Sequence, residues 1–241
     1  MQPDVTNFRQ FYDTGLGTVA RQGIAPRLRE AWPETRGMTV LGVGYATPYL
    51  EAFQGEASRV LALMLAGQGV VHWPDVGVGQ VALAHETEIP LPDESVDRVL
   101  LVHALEHTEH IREMLREVWR IMPSSGRLIV VVPNRRGIWA RLERTPFGHG
   151  HPYSPPQILG LLRETMFSPI ATKASLFMPP LKSRIMLRSA KAMENVGRVG
   201  LGVGGVLVAE AAKQIYAITG TPASVAKRKR TVAPVQSLDR S

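Results

Sequence analysis

A strand, an amphipathic helix and a second strand follow one another between Val96 and Pro133, and this order limits the fold more than any other feature. The first strand is expected over Val96–Val102. In HIREMLREVWRIM, apolar residues recur at helical spacing and predict one buried stripe, formed by Ile111, Leu115, Val118, Trp119 and Met122. The turn PSSG ends this helix, and RLIVVVP (Arg127–Pro133) predicts the second strand. Such units are right-handed crossovers between parallel strands, so an α/β fold is expected.

Further apolar runs extend this unit into a larger sheet. Strands are expected over Met38–Val43, Arg59–Ala66, Gly79–His85, Ile170–Phe177 and Gly204–Ala211. Only about a dozen residues separate the second strand from the third, so the crossover helix between them must be very short or absent. The last two runs flank a predicted helix over Ser183–Val196 and close the sheet with an antiparallel edge. Seven strands result.

The N-terminal segment has a helical pattern interrupted by glycines. Apolar residues recur at roughly helical intervals at Phe8, Tyr12, Val19, Ile24 and Leu28, with Gly15, Gly17 and Gly23 between them. The pattern predicts two short helices that lead into the sheet.

Composition and charge restrict the class of protein. A chain of 241 residues is long enough for one sizeable α/β domain, which we expect over residues 1–220, with residues 1–36 as a helical lead-in. The net charge of +7 includes the run Lys227–Arg230 in a tail, residues 221–241, whose composition predicts disorder. Without a cysteine, a secretory signal or a sufficiently long apolar stretch, the chain is expected to be cytoplasmic.

Two longer segments carry a resemblance to a known family. IPLPDESVDRVLLVHALEH and LREVWRIMPSSGRLIVVVPN have the order of acid, turn, strand, helix, arginine, glycine turn and strand. Over roughly residues 7–220 the chain resembles the class I S-adenosylmethionine-dependent methyltransferases, in particular the type 11 branch. The resemblance implies a Rossmann-like, seven-stranded, mostly parallel sheet with an antiparallel edge strand and helices on both faces.

The resemblance also implies a cofactor site for S-adenosylmethionine or its product S-adenosylhomocysteine. The residues expected to contact it are Gly42, Gly44, Tyr45, Ala46, Met64, Glu86, Thr87 and His103. The glycine motif is degenerate, because Gly42 stands where the family has an acid, and no carboxylate falls near Met64 where the family binds the ribose. Glu86 takes the place of the acid that faces the adenine, and Glu88 is the alternative in a shifted register.

Histidines dominate the expected acceptor side of the site. His103 and His107 follow the fourth strand and are the candidate catalytic residues, since a hydroxyl or carbon acceptor requires a general base. Tyr12, His149, His151 and Tyr153 are the candidate substrate-binding residues. His103 can equally hydrogen-bond the backbone at a strand end, and Glu106 and His107 can equally be capping or first-turn residues of the next helix. A metal site built from His103, His107, His110 and the HGH pair is not expected, because the spacing is mixed.

Two functions are consistent with these patterns, and a third is not expected. The leading hypothesis is methyl transfer to a small-molecule acceptor. The alternative is a catalytically weakened protein of the same fold that binds or regulates a partner protein, because fold alone does not establish function. A nucleic-acid substrate is not expected, since the basic tail lacks interleaved aromatic residues for base stacking.

Overall fold

The computed structural model describes residues 3–180 and 203–215, which form one seven-stranded sheet flanked by helices. The strands are β1 (Thr39–Gly44), β2 (Arg59–Leu65), β3 (Val81–Ala84), β4 (Arg98–Val102), β5 (Arg127–Pro133), β6 (Phe167–Ser175) and β7 (Val206–Lys213). The helices are α1 (Val5–Tyr12), α2 (Gly15–Ala31), α3 (Thr47–Leu50), α4 (Ile111–Ile121) and α5 (Pro155–Glu164). Short 3₁₀ turns cover Glu51–Phe53, Trp139–Arg141 and Pro146–Gly148.

The strand order is β3-β2-β1-β4-β5-β7-β6. Strands β1 to β5 pair in parallel, and β1 lies between β2 and β4. The order therefore reverses at β1, and in open α/β sheets ligands bind beyond the carboxyl ends of the strands at such a switch point. Strand β7 is antiparallel to both β5 and the edge strand β6. The predicted mostly parallel sheet with antiparallel pairing at one edge is confirmed.

Alternate residues of the central strands pack on opposite faces of the sheet. In β1, Val40 belongs to the apolar core beneath α1, α2 and α3, whereas Leu41 belongs to the core beneath α4 and α5. A sheet buried on both faces needs apolar residues at successive positions, which explains why these strands are continuous apolar runs. The predicted helices on both faces are confirmed.

Polar side chains determine where the first helices begin. Asp4 and Asn7 cap α1 reciprocally, each side chain accepting a hydrogen bond from the other residue's backbone amide, at 2.8 and 3.1 Å.

The predicted interruption by glycines is wrong for the second helix, because α2 is 17 residues long and includes Gly17 and Gly23. A Cβ on Gly17 would lie 2.3 Å from the Phe11 carbonyl oxygen, so this glycine permits the close contact between α1 and α2.

Two connections bear on the sequence predictions. No helix is found between β2 and β3, as expected from the short segment that joins them. Farther along, the Arg120 guanidinium of α4 donates to the carbonyl oxygens of Ile89 and Leu91, at 2.9 Å each. Arg120, the arginine of the motif, therefore holds the segment between β3 and β4 against α4.

Some predictions concern residues outside the described ranges. These are the helix over 183–196 and the tail over 221–241. Within the described part of the chain, no helix has both the length and the apolar character needed to cross a membrane.

Candidate active site

A glycine with positive φ allows the carboxyl ends of β1 and β4 to approach each other closely at the switch point. Gly44 has φ of +79°, and a Cβ at this position would lie 2.4 Å from the Val102 carbonyl oxygen. The same oxygen accepts a hydrogen bond from the Tyr45 amide at 2.9 Å. The glycine is thus required by the close approach of two backbone segments, independently of any ligand.

Gly42 also has a packing role, but it lies inside the sheet. A Cβ on Gly42 would lie 2.7 Å from both the Ala46 Cβ and the Leu50 Cδ1. The missing side chain therefore allows the start of α3 to pack against β1. Neither Gly42 nor the buried Ala46 lines the cavity described below, and the close packing is a structural reason for glycine where the family has an acid.

His103 stands at the centre of a buried aromatic cluster. Its φ of 51° lies in the left-handed region, which costs a non-glycine residue about 1–2 kcal/mol. The ring stacks on Phe8, with centroids 4.8 Å apart, and contacts Phe147 at 4.7 Å. Its carbonyl oxygen accepts a hydrogen bond from Gln68 Nε2 at 2.6 Å. Strained conformations of this kind persist where surrounding contacts hold them, and they concentrate at functional sites.

Both ring nitrogens of His103 face polar side chains. Nε2 lies 2.9 Å from the Tyr12 hydroxyl, which lies 3.0 Å from the Tyr49 hydroxyl. Nδ1 lies 3.3 Å from Glu106 Oε1. Burial, together with Tyr49, raises the pKa of Tyr12 well above its ordinary value, so its hydroxyl stays protonated at neutral pH. Helix α1 thus contributes the phenol of Tyr12 to this buried cluster, and the predicted substrate-binding role of Tyr12 stays a prediction.

Glu106 and His107 complete this buried group. Burial by itself would raise the pKa of Glu106, but His103 and His107 beside it lower the pKa below its usual range. The carboxyl group is therefore an anion. Burial lowers the pKa of His107, and the neighbouring histidines act in the same direction against the opposing effect of Glu106. From the sequence, Glu106 was open either as a residue at the start of a helix or as a catalytic residue.

A cavity of about 200 Å³ opens beside this group, at the carboxyl ends of β2, β3 and β4. It is lined by Leu65, Gly67, Gln68, His85, Glu86, His107, Thr108, Glu109 and His110. Glu86 Oε1 accepts a hydrogen bond from the Thr108 hydroxyl at 3.0 Å. Of the predicted cofactor-binding residues, only Glu86 lines this cavity, and the candidate catalytic residue His107 lies on the same wall.

The other predicted cofactor-binding residues lie elsewhere. Thr87 contacts His85, with its hydroxyl 2.9 Å from Nδ1. Met64 is buried within β2, and its sulfur lies 3.3 Å from the Val71 amide nitrogen. Tyr45 is buried under Phe8, with ring centroids 5.3 Å apart.

The loop after β5 packs against the turn that carries Glu106. The His151 amide donates to the Glu106 carbonyl oxygen at 2.8 Å, but the His151 side chain is exposed. His149 Nε2 lies 2.6 Å from the Glu143 carbonyl oxygen, within the loop itself. Tyr153 is buried, and its hydroxyl donates to the Leu105 carbonyl oxygen at 3.4 Å. These three predicted substrate-binding residues therefore surround the turn without lining the cavity.

Several site residues had no signal in the sequence. Phe8 was expected only as part of a helical stripe, and nothing marked Gln68 or Phe147 as neighbours of His103. The spacing of His103, Glu106 and His107 was the one available clue, because all three fall within five consecutive residues after a buried strand.

Comparisons with known proteins find similar sequences among S-adenosylmethionine-dependent methyltransferases. Residues 32–130 match the family model described as "Methyltransferase domain", of type 11. A Mycobacterium tuberculosis protein named "Probable S-adenosylmethionine-dependent methyltransferase Rv3030" is 36% identical over 98 residues, which are 39% of this chain and 34% of the relative. The chain thus matches only about a third of the length of this curated relative.

Solved structures share the fold at low sequence identity. A chain in the complex of the Haloferax volcanii Trm112 methyltransferase activator with its methyltransferase has a TM-score of 0.62 at 15% identity, covering 88% of this chain and 97% of that one. The 1,6-didemethyltoxoflavin-N1-methyltransferase of Burkholderia thailandensis, solved with its substrate and S-adenosylhomocysteine, has a TM-score of 0.55 at 16% identity, covering 88% and 85%. At these identities the likeness establishes the fold alone.

Proposed function

Because the chain belongs to the class I S-adenosylmethionine-dependent methyltransferase family, we propose that it binds S-adenosylmethionine and transfers the methyl group to a small-molecule acceptor. The observation that carries this proposal is the cavity at the carboxyl ends of β2, β3 and β4, next to the switch point, with the Glu86 carboxylate on its wall. Ligands of open α/β sheets bind at this position. The relative named above and the Burkholderia enzyme with its bound product support the same cofactor.

The cavity wall fits the adenosine half of the cofactor. Glu86 is partly exposed, and its carboxylate has more acceptor positions than the single hydrogen bond from Thr108 uses. An amino or hydroxyl group of the ligand can donate to the remaining positions. We therefore assign the adenosine half to the wall formed by Glu86, Thr108 and Leu65.

The methionine half requires space that α1 now fills. Phe8 and Tyr12 cover Tyr45 and His103 at the ends of β1 and β4. The cavity of about 200 Å³ is also smaller than the roughly 300 Å³ at which sites for drug-sized ligands begin. Binding of the whole cofactor therefore requires α1 to move away from the sheet.

When bound, the cofactor supplies an activated methyl group, so the protein has to position the acceptor and manage its proton. His107 lies on the cavity wall, and its lowered pKa keeps the ring neutral and able to accept a proton at neutral pH. His103 is fully buried, with Tyr12 and Glu106 at its two ring nitrogens, so we assign it a positioning role. We also propose that Tyr12 and the His149–Tyr153 loop lie beside the bound acceptor.

The alternative of a catalytically weakened binding protein is not favoured by these comparisons. A protein partner nevertheless remains a prediction, and the edge strand β3 is where we expect it to bind. Leu83 in β3 and the nearby Val76 and Val78 are exposed to 48%, 88% and 86%. Exposed apolar residues beside an unpaired strand edge are typical of interaction surfaces.

Replacing Glu86 by alanine is expected to weaken binding of S-adenosylhomocysteine about ten- to a hundredfold. The physical reason is the loss of a charged hydrogen-bond acceptor, worth about 1.5–3 kcal/mol. Isothermal titration calorimetry of the purified chain measures the affinity. Glu88→Ala is the matched control, because Glu88 is exposed and does not line the cavity. Equal affinities in the parent and Glu86→Ala would remove Glu86 from the site.

Transfer itself is tested with S-adenosylmethionine that carries a labelled methyl group, incubated with pools of small molecules containing hydroxyl, amine or carbon-acid groups. We expect label in an acceptor and formation of S-adenosylhomocysteine. If neither cofactor form binds even at high concentration, the proposed function is wrong.

A further inference from the structure

His103, Glu106 and His107 form a buried group with the composition of a metal site. Each offers one nitrogen or oxygen ligand atom, and these atoms all lie within 4.8 Å of one another. In residues 3–180 and 203–215, no other group of three histidine, aspartate or glutamate side chains meets this geometry. His110, which sequence analysis grouped with them, lies outside the group and has its ring near that of His85.

The Glu106 carboxylate lacks the hydrogen bonds that a buried anion normally has. Neither oxygen has a hydrogen-bond donor, and the side chain is only 1% exposed. His103 Nδ1 lies 3.3 Å from Glu106 Oε1, beyond the usual 2.7–3.2 Å range for N–H···O bonds. Buried charges in proteins are generally paired with hydrogen bonds or coordinate a metal, because removing a carboxylate from water is costly.

The distance between His103 and Glu106 matches the spacing of two ligands on one ion. Zinc binds histidine nitrogen and carboxylate oxygen at about 2.0–2.2 Å in tetrahedral geometry. Two such ligands are then separated by roughly 3.3–3.5 Å. The distance from His103 Nδ1 to Glu106 Oε1 is 3.3 Å, so both atoms can bind the same ion without movement.

Outer contacts orient His103 as a metal-binding histidine requires. Ligating imidazoles commonly use their second nitrogen in a hydrogen bond, which fixes the tautomer and the ring orientation. Here His103 Nε2 lies 2.9 Å from the Tyr12 hydroxyl, which leaves Nδ1 toward Glu106. Gln68 holds the backbone of His103 through its carbonyl oxygen.

An ion can reach this group from the cavity, because His107 lies on the cavity wall. Nitrogen and oxygen donors without thiolates suit zinc and related divalent transition metals. We propose that His103, Glu106 and His107 bind one zinc-class divalent ion through two imidazole nitrogens and a carboxylate oxygen. This assignment does not depend on methyl transfer. His107 is a ligand while the ion is bound, and its proposed role as a proton acceptor applies to the metal-free chain.

The test uses the full-length chain, freed of metal with a chelator and then titrated with Zn²⁺. We expect one ion per chain, and Co²⁺ in its place should give the visible absorption of a tetrahedral site. Glu106→Gln and His107→Ala each remove one ligand, so each should weaken binding by more than about a hundredfold. Tyr12→Phe keeps all three ligands and should weaken binding about ten- to a hundredfold, as outer-shell substitutions do.

His110→Ala is the matched control, because it removes a nearby imidazole outside the group and should leave the affinity unchanged. Zn²⁺ should also raise the melting temperature of the parent chain but not that of Glu106→Gln, since ligands of the native state stabilise it. The proposal is overturned if the parent chain binds no Zn²⁺. It is equally overturned if Glu106→Gln and His107→Ala, shown by circular dichroism to be folded, bind as tightly as the parent. If neither variant folds, the Tyr12→Phe titration and the melting shift of the parent decide the matter.

Discussion

Replacing Phe8 by alanine is expected to lower the free energy of unfolding by about 3–5 kcal/mol. Phe8 is fully buried, and its ring lies against those of Tyr45 and His103. The substitution removes this apolar contact and leaves a cavity between α1 and the carboxyl ends of β1 and β4. Urea denaturation followed by circular dichroism measures the change.

Gln10→Ala is the control for Phe8→Ala, because Gln10 lies on the exposed side of the same helix. An exposed substitution of this kind should change stability by no more than about 0.5 kcal/mol. A loss below about 1 kcal/mol in Phe8→Ala would mean that α1 does not pack on the sheet in solution. The methionine half of the cofactor site would then be open in the free protein.

Replacing Gly44 by alanine is expected to lower the free energy of unfolding by about 2–5 kcal/mol. Two physical effects add. Positive φ costs an alanine about 1–2 kcal/mol, and crowding in a packed region typically costs about 1–3 kcal/mol. The crowding arises because the new Cβ would lie 2.4 Å from the Val102 carbonyl oxygen and 3.0 Å from the Ala104 Cβ. Urea denaturation again gives the free energy.

Gly37→Ala separates the two effects. Gly37 has φ of +75°, close to that of Gly44, but no atom lies within 4 Å of the position of its Cβ. We therefore expect only the conformational cost of about 1–2 kcal/mol there. If both variants lost the same free energy, the close contact between the ends of β1 and β4 would be absent in solution.

The two predictions test two contacts at the carboxyl ends of β1 and β4. Gly44 allows the strand ends to approach each other, and Phe8 covers the position where they meet. In the proposed function, this cover lies where the methionine half of the cofactor would bind. The affinity for the cofactor would then include the cost of displacing α1, so a variant with a loosened α1 should be less stable and should bind the cofactor more tightly.

Local patterns in the sequence were sufficient for much of the fold. The apolar stripe of α4 and the run Arg127–Pro133 predicted their elements within a residue or two. The short segment between β2 and β3 predicted the absence of a crossover helix there. Glu86 lies on the cavity wall, because residues just after a parallel strand lie at the carboxyl edge of the sheet, and its contact with a cofactor stays a prediction.

Other properties depended on residues far apart in the chain. The Tyr12 hydroxyl and His103 Nε2 are 91 residues apart and 2.9 Å distant, and no local periodicity encodes such a pair. The continuation of α2 through Gly17 follows from contact with α1, which outweighs the low helix propensity of glycine.

By itself, the sequence determined the order of the strands and helices along the chain and the end of the sheet where we propose that a ligand binds, because hydrophobic periodicity and strand direction are local properties. Only the tertiary structure decided that α1 covers that end and that a buried turn brings His103, Glu106 and His107 together. The physical reason is that burial, charge pairing and backbone strain depend on neighbours supplied by distant segments of the chain.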